Sequence, residues 1–186
     1  MEQQTMKIQD LTLIALMAAL TCILGPMSIT LPFTPVPISF TNLVIYFAVM
    51  VIGMKRGTIS YLVYLLIGAV GLPVFSGFSG GLAKLAGPTG GYIVGFLLTA
   101  LIIGLIMKLA KGKSEITKIV ITVVSMILGD IGCFAIGTVW FMVVMKMNLS
   151  ASLTLCVVPY IVPDLAKIIV ATIIVNRLKK YVKIFN

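Results

Sequence analysis

Pro32-Phe33-Thr34-Pro35-Val36-Pro37 interrupts a run that carries no charged side chain from residue 11 to residue 54. The run is 44 residues long, about twice the ~20 residues that one transmembrane helix needs. Three prolines in six residues cannot continue a helix. The interruption therefore predicts two apolar helices, over residues 11–31 and 39–54, with a Pro-rich turn between them. Gly25-Pro26 predicts a kink near the far end of the first.

The rest of the chain repeats this pattern. It has 186 residues, 60% of them hydrophobic and only 10% charged, and its mean hydropathy is +1.19. A soluble domain carries about 25% charged residues. An all-α integral membrane protein is expected, one membrane domain over residues 1–186 with no separate soluble part. Residues 1–10 are polar and show no small-residue cleavage site, so the first helix is expected to be retained.

Lys55-Arg56-Gly57 predicts a basic turn, and further helices are expected over 58–71, 91–110, 116–145 and 151–178. Between the third and fourth lies a stretch, 71–92, too rich in glycine and proline for a span and too apolar for a solvated linker. A loop folded over at membrane depth fits it better. With six alternating spans, eleven basic residues fall on the side of the N-terminus: Lys7, Lys55, Arg56, Lys108, Lys111, Lys113, Lys118, Arg177, Lys179, Lys180 and Lys183. Only Lys84 and Lys146 fall on the other side. That bias places both termini in the cytoplasm and the Gly-rich loop outside.

The net charge of +9 is accounted for by this asymmetry, and no nucleic acid is implied. Histidine is absent, which removes imidazole bases and His-ligated metals. Cys22, Cys133 and Cys156 stand apart in different apolar segments and read as packing residues, not as a metal site or a disulfide.

Against this background Asp164 and Lys167 stand out in Pro163-Asp164-Leu165-Ala166-Lys167. Three residues apart, they share a helix face. Charges in a lipid-spanning helix are costly and mark functional sites. A self-neutralising structural pair is one reading. A polar ligand site is the favoured one, with the carboxylate accepting an N–H and the ammonium donating to a carbonyl. Pro163 has no N–H and loosens the turn before the acid. Asp130, the other intramembrane acid, either bonds to a neighbouring helix or lines a polar patch.

In the Gly-rich loop, Gly87-Pro88-Thr89-Gly90-Gly91-Tyr92 leads into the fourth helix. It offers backbone N–H groups and a helix N-terminus to an anionic group, or it is simply a flexible outer loop. Ala15 and Ala19 form a small-residue face, suited to internal packing or to docking of a partner membrane protein. Gly129, Cys133 and Gly137 form a similar face, read as internal packing. Trp140 reads as an aromatic-belt residue.

Three stretches together resemble the BioY family, the biotin-binding membrane subunits of energy-coupling factor transporters. They are Thr34-Pro35-Val36-Pro37-Ile38-Ser39-Phe40, the loop from Gly71-Leu72-Pro73-Val74-Phe75-Ser76-Gly77 to Gly87-Pro88-Thr89-Gly90-Gly91-Tyr92, and Pro163 to Lys167. Two positions depart from the family pattern: Thr41, where glutamine is frequent, and Pro163, where glycine is common.

The resemblance implies a six-helix subunit that captures biotin from outside. Its partners would be a transmembrane coupling protein and two ABC-type ATPases. Asp164 and Lys167 would hold the ureido group. Phe75 and Tyr92 would wall the ring, and Ser39, Ser79 or Thr89 would meet the valerate tail. Ala15 and Ala19 match the docking surface of such subunits. No cofactor or metal is implied, and the chain has no Walker A sequence of its own. A self-sufficient secondary transporter is the competing reading. A membrane-embedded enzyme acting on a lipid-like substrate is disfavoured, since the few acids are not clustered.

Overall fold

The computed structural model of the protein describes residues 7–181 and is built from helices. α1 (Ile8–Leu24) stops at Gly25, so the predicted kinked helix to residue 31 is not formed. Pro26 has no N–H to continue the ladder. The chain instead enters a two-stranded antiparallel ladder, β1 (Ser28–Ile29) with β2 (Ile38–Ser39), Ser28 opposite Ser39. The Pro-rich stretch is the end of this hairpin. Its prolines lie outside the paired residues, where their missing N–H groups cost no ladder bond.

α2 (Thr41–Ile52) and α3 (Met54–Val70) meet at a single residue, Gly53, with φ 85°. A left-handed angle of that kind reverses the chain without strain only at glycine. Lys55 and Arg56 therefore lie within α3 and not in the turn expected for them. Arg56 pairs with Asp10 at 2.7 Å, joining the start of α3 to the start of α1.

The Gly-rich loop folds back on the ends of α1 and α3. The Gly77 and Gly81 amides donate to the Pro26 and Gly68 carbonyls at 3.0 and 2.7 Å. The short α4 (Leu82–Ala86) closes the loop. α5 (Gly90–Met107) follows, extended by a 3-10 turn over Lys108–Ala110, and then α6 (Glu115–Met145).

The expected last helix comes in two pieces, α7 (Leu149–Cys156) and α8 (Val158–Tyr181). Pro159 has no N–H to give the carbonyl four residues back, and the ladder breaks there. Pro163 lies within α8 and leaves the Pro159 carbonyl without its usual donor. Lys183 lies outside the described residues.

Among the described residues, three helical stretches are long and apolar enough to cross a membrane: Gly90–Ala110, Glu115–Met145 and Leu149–Leu178. α1 and α2 are shorter apolar helices. Large apolar side chains cover the outside, with Val70, Ile116 and Val162 at least 75% exposed. Such a surface is stable against lipid and not against water.

α5 and α6 make the closest helix pair. A Cβ on Gly91 would lie 2.2 Å from Trp140 Cβ, and one on Gly137 would lie 2.2 Å from the Tyr92 ring. Gly95 meets Cys133, and Gly129 meets Thr99. The Gly129, Cys133, Gly137 face is thus internal packing, as expected. Part of the Gly-Gly-Tyr sequence serves this approach: small residues let the two backbones come within side-chain reach.

Candidate functional site

α8 presents Tyr160, Asp164 and Lys167 on one stripe, spaced four and three residues apart. The stripe faces inward. Asp164 and Tyr160 are buried, and the Asp164 and Lys167 side chains are 12% and 10% exposed. Tyr160 donates to the Val36 carbonyl. Lys167 Nζ donates to the Ser39 carbonyl at 2.7 Å. Both acceptors belong to the Pro-rich hairpin or its end, so α8 holds that hairpin over the site.

Asp164 and Lys167 pair at 2.9 Å, and Asn42 of α2 joins them. Its Nδ2 donates to Asp164 Oδ1 at 2.9 Å, and its Oδ1 accepts from Lys167 at 3.1 Å. An ammonium has three N–H bonds. Those of Lys167 all have acceptors: Ser39, Asn42 and Asp164. The carboxylate is less satisfied, because both of its donors meet Oδ1.

Next to this triad lies a second acid. Asp130 of α6 is buried, and Tyr46 of α2 contacts both of its oxygens, at 2.6 and 2.5 Å. Asn42 Nδ2 lies 3.5 Å from Tyr46 Oη. The order Asp130, Tyr46, Asn42, Asp164, Lys167 is thus one continuous polar line across α6, α2 and α8. Of the two roles open to Asp130, it takes both. It bonds to a neighbouring helix, and it faces a cavity.

That cavity has an empty volume of about 670 Å³, its open mouth included. Aromatic walls come from Tyr61, Tyr64, Tyr92, Phe96 and Phe134. Asn42, Asp130, Asp164 and Lys167 supply its charged and amide groups. Ser39 and Thr89 line it as well. Thr89 Oγ1 is buried and has no hydrogen-bond partner. It stands at the N-cap of α5 without capping it.

Of the seven ligand residues expected from the sequence, five line this cavity: Asp164, Lys167, Tyr92, Ser39 and Thr89. Phe75 and Ser79 are not among its lining residues. Phe75 is fully buried against Gly68 and stacks edge-on with Tyr64, their ring centres 5.6 Å apart. Ser79 donates its hydroxyl to the Ser76 carbonyl at 2.8 Å. The two face each other across a tight turn closed by backbone bonds of 2.9 and 3.3 Å. They shape the loop, and their neighbour Ser76 reaches the cavity.

Lys84 is not among the lining residues either, and partial burial in the loop lowers its pKa. Trp140, expected only as a belt residue, donates its indole N–H to the Gly87 carbonyl at 2.9 Å and ties the loop to α6.

Asn42 and Tyr46 are not among the residues expected from the sequence. A signal exists for the first, since Asn42 is the one side-chain amide between residues 11 and 54. Ala15 and Ala19 are exposed, whereas Ile14 and Ala18 of the same helix are buried. The small-residue face of α1 therefore looks outward.

The chain matches the model of the BioY family over residues 1–184. It is 36% identical over 174 residues to a probable biotin transporter BioY of Pyrococcus horikoshii, covering 94% of this chain and 98% of that one. It is 35% identical over 157 residues to the biotin transporter BioY of Thermotoga maritima, covering 82% and 86%. Among solved structures it resembles the S-component for biotin from an ECF-type ABC transporter, with a TM-score of 0.83 and 34% identity over 97% of this chain and 95% of that one. A second S component of a bacterial ECF transporter, at TM-score 0.50 and 20% identity, shares the fold.

Proposed function

The chain belongs to the BioY family, and from that premise we propose that it is the biotin-capturing membrane subunit of an ECF-type ABC importer. One observation carries the ligand assignment: a buried carboxylate and ammonium, bridged by an amide, line an aromatic-walled cavity. Biotin has a urea with two N–H donors and one carbonyl, an apolar sulfur ring and an anionic tail. Asp164 accepts a ureido N–H on its open oxygen. Lys167 donates to the ureido carbonyl by exchanging one of its three internal acceptors.

Tyr92 walls the sulfur ring, and the free hydroxyl of Thr89, with Ser39, receives the tail. Phe75 and Ser79 act through the loop and not by ligand contact. The chain forms one domain of six membrane segments with both termini in the cytoplasm. In this arrangement the Pro-rich hairpin and the Gly-rich loop face outside and cover the mouth of the cavity. Uptake draws its energy from partners, a transmembrane coupling protein and two ABC ATPases, and the subunit itself catalyses no reaction.

Calorimetry of the purified protein with biotin tests the assignment. The unaltered chain is expected to bind. Asp164→Asn and Lys167→Ala are each expected to weaken binding by at least about tenfold, the cost of losing one charge-assisted hydrogen bond. Unchanged affinity in both variants would reject the site, and no binding by the unaltered chain would reject the function.

A further inference from the structure

Asp130 has no task in the assignment above, yet it is only 5% exposed and lines the same cavity. Its two oxygens lie 2.6 and 2.5 Å from one atom, Tyr46 Oη. A phenol has one proton, so these contacts provide one donor between them. A carboxylate offers about four lone-pair sites. Among the described residues no other donor reaches Asp130.

Asp164 shows the same shortage, with both donors on Oδ1. Lys167 has no free N–H with which to make up the deficit. The cavity thus holds more acceptors than donors at its acidic end, and buried acceptors left unpaired are costly. At Thr89, which also lines the cavity, the need is reversed: its Oγ1 is buried and unpartnered, and its O–H requires an acceptor. A ligand that complements both carries N–H donors at one end and an acceptor at the other.

We propose that Asp130 is a second ureido-binding acid. Asp164 takes one ring N–H and Asp130 takes the other, with Lys167 on the carbonyl. Tyr46 is a positioning residue: fully buried, it holds the Asp130 carboxylate and links it through Asn42 to Asp164. Each nitrogen of the urea then has its own carboxylate, and the site selects cyclic ureas with both nitrogens unsubstituted. A site built for a donor rejects an analogue lacking it, because its own buried group is left unpaired.

This inference rests on the biotin assignment, and its test separates the two. Binding of biotin and of its two mono-N-methyl ureido derivatives is measured on the unaltered protein and on Asp130→Leu and Asp130→Asn. The unaltered protein is expected to bind biotin and to lose affinity for both derivatives. Asp130→Leu is expected to weaken biotin by about 10- to 100-fold. It should also abolish the methyl penalty at one nitrogen and leave it intact at the other.

Asp130→Asn keeps the side-chain shape and one carbonyl acceptor, so it carries the same comparison if the leucine variant does not fold. Its penalty at that nitrogen is expected to shrink. Undiminished penalties at both nitrogens in the variants that fold would overturn the role of Asp130 and leave the biotin assignment standing. Failure of the unaltered protein to bind biotin would remove both.

Discussion

Lys167 and Thr89 show two opposite states of a buried polar group. Lys167 has every N–H engaged, so a ligand carbonyl gains only by exchange. Of its three contacts, the one to Asn42 is the longest, 3.1 Å against 2.7 and 2.9 Å, and is the natural one to give way. Thr89 has nothing to exchange, and a ligand acceptor there is a net gain. Thr89→Val keeps the shape and removes the hydroxyl. It is therefore expected to leave thermal stability nearly unchanged and to weaken biotin by about tenfold, as a hydrogen bond to a charged group implies. An analogue whose tail ends in a methyl group should bind the two proteins equally. Equal loss for biotin and for that analogue would place the tail elsewhere. The Asp164–Lys167 pair was legible from spacing alone, since two charges in an apolar helix have few explanations. Asn42 and Tyr46 were not, because a lone amide or phenol in a helix carries no mark of what it will meet 122 or 84 residues away.

At the scale of elements, the α5–α6 contact and the two turn-forming segments decide the shape of the cavity. Gly137 lies against the ring of Tyr92, which itself lines the cavity. Gly137→Ala would put a methyl 2.2 Å from that ring, and the ring must move or the helices must part. Overpacking of this kind costs about 1–3 kcal/mol. A lower melting temperature in detergent, together with weaker biotin binding, is the expected result; unchanged values of both would show that Tyr92 moves freely. The helices themselves could be read from apolar length and proline position. Their ends could not always be. Gly25-Pro26 ends a helix, because the hairpin beyond it is tied to α8 through Val36 and Ser39. Phe75 had the composition of a ligand wall but was drawn into the core by the open space over Gly68, a contact that proximity in the loop does not foretell.

The whole molecule is an inverted object, with Asp130, Asp164 and Lys167 set around an internal cavity and large apolar side chains on the outside. Such a surface needs a bilayer, and it leaves docking to small residues and shape. On α1, Ile14 and Ala18 face inward while Ala15 and Ala19 face out. Ala15→Leu with Ala19→Leu is expected to leave biotin binding intact and to abolish co-purification with the coupling protein and ATPases, since bulky groups keep helices apart. Retained co-purification would place the docking surface elsewhere. Composition alone determined that the chain lives in a membrane, because so few charges cannot cover a soluble surface. Proline and glycine positions determined most of the breaks, and the intramembrane charges pointed to the candidate site, since each such charge must be answered by a partner. Only the tertiary structure decided which partners answer. Asn42, Tyr46 and Asp130 come from helices far apart in sequence, and a hydrogen bond depends on a few tenths of an ångström that no one-dimensional pattern carries.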